Sequence, residues 1–264
     1  MTLFDTFSSR HIVHAVLVMD TALAVGARLS LEPTGTDMPV AKGPDGRPFI
    51  PGSSIKGVVR AHAERLLRTW DRPPRLWACD PLGDPCLPRQ RDSRRGEERG
   101  QDARELFEAS CTACRLFGSQ WFAGRLAFKD ALLLNGAELP VLTQVRDGVG
   151  IDRDLGAAHS GIKYDFETVV PGARFGVQIV GENLEDWEAG LLLAVLRLWQ
   201  TGGIAIGGKS TRGTGWGRLD ELRVQRVDRG NLMDYLLQGT AAEDDPARLL
   251  AAFRSRLEEV SRDA

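Results

Sequence analysis

The chain has 264 residues carrying 34 basic and 36 acidic side chains, a net charge of −2, which excludes a protein that coats nucleic acid over its whole surface and leaves only local basic stripes for that purpose. Its length allows a substantial core in one large or two small domains. No apolar run approaches the roughly 20 residues of a membrane span, and Met1-Thr2-Leu3-Phe4-Asp5 lacks the basic-then-apolar order of a signal peptide, so a cytoplasmic protein with no membrane partner is expected.

The first predicted element is a central strand, His11-Ile12-Val13-His14-Ala15-Val16-Leu17-Val18-Met19, β-branched and mostly apolar. His11 and His14 cannot share a face of it. Residues 32–52 hold five prolines and four glycines and form a long loop, and long ordered loops tend to carry function. Ser53 or Ser54 caps a helix in which Ile55, Val58, Val59, His62, Leu66 and Leu67 recur at helical spacing through Arg68, with Lys56 and Arg60 on the opposite face. All four cysteines come next, Cys79, Cys86, Cys111 and Cys114, in the spacing C-x6-C-x24-C-x2-C. Without a secretory signal this pattern points to metal rather than disulfides, and Cys111-x-x-Cys114 is the knuckle that tetrahedral zinc favours. A structural zinc would staple both ends of the intervening polar segment; reduced free thiols are the alternative. Inside that segment, acidic residues interrupt the run from Arg89 to Arg99, which reads as a solvated surface.

Residues 125–134 give a second strand, bounded by Gly124 and Asn135-Gly136, and 140–163 mix charge and glycine with little periodicity, as an exposed loop or finger does. Residues 174–180 alternate as a third strand. Asn183 then caps a helix with Leu184, Trp187, Leu191, Val195 and Leu198 on one stripe, ending at Gly202-Gly203. Residues 207–218, Gly-Gly-Lys-Ser-Thr-Arg-Gly-Thr-Gly-Trp-Gly-Arg, strip side chains from a backbone that also offers Lys209, Arg212 and Arg218. Bare amides and cations suit an anion. No helix pattern follows, as a Walker loop needs, and the glycines lie too late in the chain for a dinucleotide fold, so a polymer backbone is the favoured ligand and a ligand-free turn the alternative. Trp216 is placed either to stack on a base or to pack beneath the loop. Residues 219–227 supply a fourth strand, and 246–260 an amphipathic helix. Strand, helix, strand, strand, helix, strand is the order of an α+β, ferredoxin-like (RRM-like) βαββαβ fold, an antiparallel sheet with both helices on one face.

Pro51-Gly52-Ser53-Ser54-Ile55-Lys56-Gly57 ahead of a helix, Cys111-Thr112-Ala113-Cys114-Arg115-Leu116-Phe117-Gly118, the stretch from Val149 to Ala158, and the Gly208-Lys209-Ser210 loop together resemble the RAMP superfamily of CRISPR-associated proteins. Within it they are most similar to the backbone subunit of type III effector complexes. The resemblance spans nearly the whole chain and implies a single RAMP domain over 1–264. Its insertions are a catalytic-type loop at 32–52, a cysteine zinc module at 71–120, a finger at 140–165, the Gly-rich loop at 207–217 and a helical tail at 228–264. It implies CRISPR RNA, single-stranded target RNA and other effector subunits, copies or close paralogues of this chain included, as partners. Guide contacts then fall to Ser53, Ser54, Lys56, Arg60, Gly208, Lys209, Ser210, Arg212, Gly213 and Gly215. In the finger, Arg146, Arg153 and Lys163 hold phosphates while Ile151 or Leu155 wedges between bases.

The resemblance places an acidic residue ahead of Pro-Gly-Ser-Ser, and Thr36-Asp37-Met38-Pro39-Val40 matches that pattern at Asp37. Attack by the RNA's own 2′-hydroxyl is implied, with Asp37 as base or as ligand to magnesium or manganese. Asp37 in an Asx-type loop contact is the competing reading, and Asp45 sits in a turn signature, Pro44-Asp45-Gly46. Three other functions stay open. One is a non-catalytic scaffold of the same complex. The second is a standalone repeat-processing endoribonuclease using His159 or His11, and the third a zinc-stabilised interaction module without RNA.

Overall fold

The computed structural model describes residues 4–26, 36–87 and 103–262. In chain order these form β1 (Ser9–Met19), β2 (Phe49–Ile50), α1 (Gly52–Trp70), α2 (Ala103–Ala109), α3 (Thr112–Phe117), β3 (Leu126–Phe128) and β4 (Ala131–Leu133). A hairpin of β5 (Thr143–Ile151) and β6 (Ala158–Val169) follows, then β7 (Arg174–Glu182), α4 (Asp186–Gln200), β8 (Gly217–Asp228), α5 (Leu232–Gln238), β9 (Ala242–Glu243) and α6 (Pro246–Arg262). The run from Arg89 to Arg99 lies outside the described residues.

An antiparallel sheet runs β2-β4-β7-β1-β8-β9, with β3 also paired to β7. β1 is central, as its β-branched sequence predicts. Its odd-numbered residues, from Ser9 to Met19, are all buried, whereas His14 on the other face is exposed. Val13, Leu17 and Met19 share one core with Ile55, Val59 and Leu67 of α1, Leu192 and Val195 of α4, and Leu249 and Phe253 of α6. Each such side chain contributes about 1.5–3 kcal/mol when removed fully from water.

Three boundaries differ from the sequence reading, each because a distant residue intervenes. The expected second strand is two short strands on β7, broken at Lys129-Asp130. There the Asp130 carboxylate turns to accept the Gly52 amide at 2.7 Å. Neither Ser53 nor Ser54 caps α1: it starts at Gly52 after Pro51, with no side-chain cap from its own sequence, and Asp130 takes that role. Nor does Asn183 cap α4. It adopts a left-handed φ of 51°, and its side-chain oxygen accepts from the Ser8 and Ser9 amides at 2.8 and 3.2 Å, fixing the start of β1. The helix begins at Asp186, and Glu188 accepts from the Glu185 amide at 2.9 Å.

The segment read as an aperiodic loop or finger is a two-stranded antiparallel hairpin that forms its own sheet. Gly148 faces Tyr164 across it, and a Cβ at Gly148 would lie 2.2 Å from the Tyr164 ring. The ring therefore covers the glycine, and that pairing, not a hydrophobic alternation, organises this face. Val145, Val149, Ile151, Leu155 and Ile162 are all exposed on the hairpin, an apolar surface of the kind that marks an interface.

His11 lies beneath the sheet with both ring nitrogens lacking a hydrogen-bond partner among the described residues, Nε2 being 3.8 Å from Asp244. Burial, followed by the nearby Arg226 cation, pushes the imidazole below its ordinary value, and Asp244 only partly opposes this. Because the folded value is lowered, the folded state holds neutral His11, and stability present above the ordinary histidine value of about 6.5 is lost as pH falls through and below it. Urea midpoints measured between pH 7.5 and 5 should therefore decline less steeply for His11→Gln than for the parent chain. Parallel declines would show that another group sets the acid limb.

Candidate functional site

Two segments far apart in sequence converge on β6. Residues 36–42 run beside it: the Asp37 amide donates to Asp165 Oδ1 at 2.7 Å, and the Asp165 amide donates back to Asp37 Oδ2 at 3.0 Å. One step on, Met38 bridges Phe166 in parallel and its carbonyl accepts the Glu167 amide at 2.9 Å. The half-exposed Lys42 and the Val40 amide both donate to the buried Glu167 carboxylate, at 2.6 and 3.1 Å. Burial alone would raise that carboxyl. The hydrogen bonds from Lys42, Thr143 and Val40 outweigh it and hold Glu167 below the usual carboxylate range.

From the other side comes the Gly-rich loop. Lys209 Nζ lies 4.3 Å from the centre of the Phe166 ring and 5.5 Å from that of Tyr164, and 3.3 Å from Met38 Sδ. Arg212 donates to the Tyr164 hydroxyl at 2.6 Å. A cation over a ring contributes from about 0.5 kcal/mol at an exposed site to about 2 kcal/mol when desolvated, and with Phe166 buried and Tyr164 half-buried the Lys209 contact is firm enough to orient the cation. Arg218 stands apart, paired with Asp20 and Asp220.

Part of the loop's bare backbone bonds within the protein. Gly208 and Gly215 donate their amides to Ala24 and Ala22, Gly213 and Arg212 donate to Ser210 and Lys209, and Trp216 donates to the Thr21 hydroxyl. Gly207 and Gly215 have φ of 87° and 82°, and a Cβ would meet the Ala24 and Ile206 carbonyl oxygens at 2.5 and 2.0 Å. These two glycines let the loop pack on residues 22–25. Its outer face exposes Gly208, Thr211, Arg212 and Gly213, with the Lys209 and Arg212 cations reaching Phe166 and Tyr164. Trp216 lies on the loop, its indole N–H donating to the Ser210 carbonyl at 3.2 Å.

Ser53 is exposed and Ser54 half-buried on the first turn of α1, whose leading amide Asp130 already engages. Lys56 is half-buried beside them, its ammonium lowered by burial and then by Arg60. Arg60 points to the cysteine module, donating to Glu64 at 2.7 Å and to the Gly118 carbonyl at 3.0 Å, with Nη2 3.9 Å from Cys114 Sγ. On the hairpin, Arg153 is exposed near the turn and Lys163 pairs with Asp147 at 3.4 Å, while Arg146 is half-buried on β5. His159 is exposed, Nδ1 2.8 Å from the Ser160 carbonyl, whereas His11 is enclosed. Asp45 accepts from the Arg47 amide within its turn. Asp165, Glu167 and Tyr164 were not singled out by the sequence. Their signal was the alternation Tyr164-Asp165-Phe166-Glu167, an acidic and an aromatic face on one strand.

Cys79, Cys86, Cys111 and Cys114 bring their sulfurs within 4.8 Å of one another. Cys79 Sγ is 3.8 Å from Cys114 Sγ and 3.6 Å from Cys111 Sγ, and tetrahedral bonds of about 2.3 Å to a shared zinc require sulfurs about 3.8 Å apart. Cys111 caps α3 by accepting the Cys114 amide at 3.4 Å, the knuckle expected of Cys-x-x-Cys. Three of the four are buried and Cys86 is half-buried. Crowding splits their acidities: S–H donation from Cys111 and Cys114 pulls Cys86 far down, and the same sharing pushes Cys114 up. The set fits a metal ion with four thiolate ligands and no position left for substrate.

Among the described residues no helix is long and apolar enough to cross a membrane. The chain is 23% identical, over 97% of its own length and 96% of the relative's, to a Methanocaldococcus jannaschii protein named CRISPR system Cms endoribonuclease Csm3. It is 26% identical to a Mycobacterium tuberculosis protein of the same name, over 86% of this chain and 92% of that one. Residues 16–218, from the middle of β1 through the Gly-rich loop, match the family model of the RAMP superfamily, and the chain belongs to that superfamily.

Proposed function

We propose that this protein is a backbone subunit of a type III CRISPR ribonucleoprotein that binds CRISPR RNA and cleaves complementary target RNA through Asp37. The observation that carries the reading is the convergence on β6, where the exposed Asp37 is tied to Asp165 while Lys209 and Arg212 reach the neighbouring Phe166 and Tyr164 side chains. The names of the two relatives support the endoribonuclease assignment. The order β8-β1-β7 with β3 and β4, covered by α1 and α4, supports a ferredoxin-like core carrying these loops as insertions. Lys209 and Arg212, with Ser53, Ser54 and Lys56 at the start of α1, face the guide backbone. Such contacts are sequence-blind and weaken with salt. The exposed hairpin, with Arg146, Arg153 and Lys163 for phosphates and Ile151 or Leu155 as wedge, enters the guide–target duplex. The four-thiol site holds a structural zinc.

In the reaction, Asp37 takes the proton of a ribose 2′-hydroxyl, the 2′-oxygen bonds to the adjacent phosphorus, and the bond to the 5′-oxygen breaks, that oxygen gaining a proton from water. A magnesium or manganese ion, when bound, would offset charge on the phosphate oxygens. One carboxylate is a thin apparatus, so in-line alignment imposed on the RNA supplies much of the rate. In the guide-loaded complex, Asp37→Ala should lower target cleavage by about 10²-fold while target affinity is unchanged. An undiminished rate would remove the catalytic claim and leave the scaffold reading.

A further inference from the structure

Asp37 is exposed on a loop, and an exposed aspartate ordinarily exchanges rotamers freely. Two contacts with one residue restrain it: the Asp37 amide bonds Asp165 Oδ1, and Asp37 Oδ2 receives the Asp165 amide. The two residues thus close a ring in which each backbone N–H meets the other's carboxylate. Asp37 Oδ1 accepts no hydrogen bond among the described residues and is free to take a proton. Two residues along the same strand, Glu167 repeats the arrangement with Val40 and Lys42, so the loop is sewn to β6 at both ends.

We infer that Asp165 is a positioning residue for RNA cleavage: it locks the Asp37 backbone to the hairpin, so that the carboxylate is carried to the RNA at a fixed offset from the element that enters the duplex. The inference rests on the cleavage reading above. What Asp165 supplies through its side chain is an acceptor at Oδ1, not a charge, and its own amide keeps hold of Asp37 Oδ2 whatever the side chain becomes.

That distinction sets the test, made on the guide-loaded complex under single-turnover conditions. Asp165→Ala removes the acceptor and should slow cleavage about tenfold, the equivalent of one hydrogen bond, with target affinity and the pH dependence of the rate unchanged. Asp165→Asn keeps the acceptor and should restore the rate to within about twofold. If Asp165→Ala fails to assemble, Asp165→Leu removes the acceptor with a side chain of similar length and reads the same way. Cleavage by the Ala or Leu variant at the parent rate would overturn the inference. So would an Asn variant as slow as Ala, which would mean that the charge itself acts on the RNA or a metal. Asp37→Ala, run in parallel, separates the two levels. If it still cuts, the reading of Asp37 fails; if it is silent while Asp165→Ala cuts normally, only the positioning role fails.

Discussion

Withdrawing the metal proposed at Cys79, Cys86, Cys111 and Cys114, by chelation or by Cys114→Ser, is expected to release the cysteine module from α1 while the seven-stranded sheet stays folded. The module's helices are short, seven residues in α2 and six in α3, too short to persist without tertiary support. Its ties to α1 run through Arg60 to the Gly118 carbonyl and Cys114, and through Arg68 to the Cys79 carbonyl, with Glu64 accepting from both arginines. A four-thiolate site with a divalent ion carries excess negative charge, and Arg60 lies where it offsets that charge. Structural zinc contributes about 10–16 kcal/mol of apparent folding free energy in isolated zinc-finger peptides. Here part of the support comes from Leu76, Leu116 and Phe117 in the shared core, so the loss should be smaller but still at least about 4 kcal/mol, the linkage at a thousandfold excess over Kd. Hydrogen exchange should show amides of α3 losing protection on chelation while those of β1 and β7 keep theirs. Unchanged protection, with no zinc found in the purified protein, would mean that these are free thiols.

How far the sequence carries the argument depends on whether a feature is local. β1 was legible because a buried strand needs nothing beyond its own β-branched residues, and the cysteine cluster was legible because spacing survives whatever the chain does between ligands. The start of α1 was not. Pro51 and Gly52 open it, and the cap is Asp130, far along the chain. The finger was legible as an exposed element but its two strands were not, because Gly148 and the charges of its neighbours break the alternation, and their order comes from the Tyr164 ring lying across the glycine. In the Gly-rich loop the composition signalled unusual backbone, and part of the reason is internal: Ala22 and Ala24 accept the Gly215 and Gly208 amides. Asp37 matched a motif, whereas Asp165 has meaning only through a contact across 128 positions.

Breaking the Arg125–Glu188 pair is expected to destabilise the protein by about 3–5 kcal/mol, the cost of leaving one buried charge without its partner. Each residue is 2% exposed. Arg125 meets both carboxylate oxygens of Glu188, and it also donates to the Asn183 and Arg115 carbonyls at 3.0 and 3.2 Å. Its guanidinium carbon lies 5.1 Å from the centre of the Phe107 ring. Glu188 in turn accepts the Glu185 amide that opens α4. One ion pair therefore joins the start of β3, the first turn of α4 and the residue after Cys114, which places it between the sheet and the cysteine module. Against a total stability of about 5–15 kcal/mol, Glu188→Leu alone should lower the urea midpoint measurably. Arg125→Met should do nearly the same, because the carboxylate then stands alone. The combination Arg125→Met with Glu188→Leu should cost less than the sum of the single changes, since desolvated charge rather than lost attraction carries most of the penalty. Additive effects, or single changes below about 1 kcal/mol, would mean that water reaches the pair and that the junction is held by packing of Phe107 and Phe117 instead.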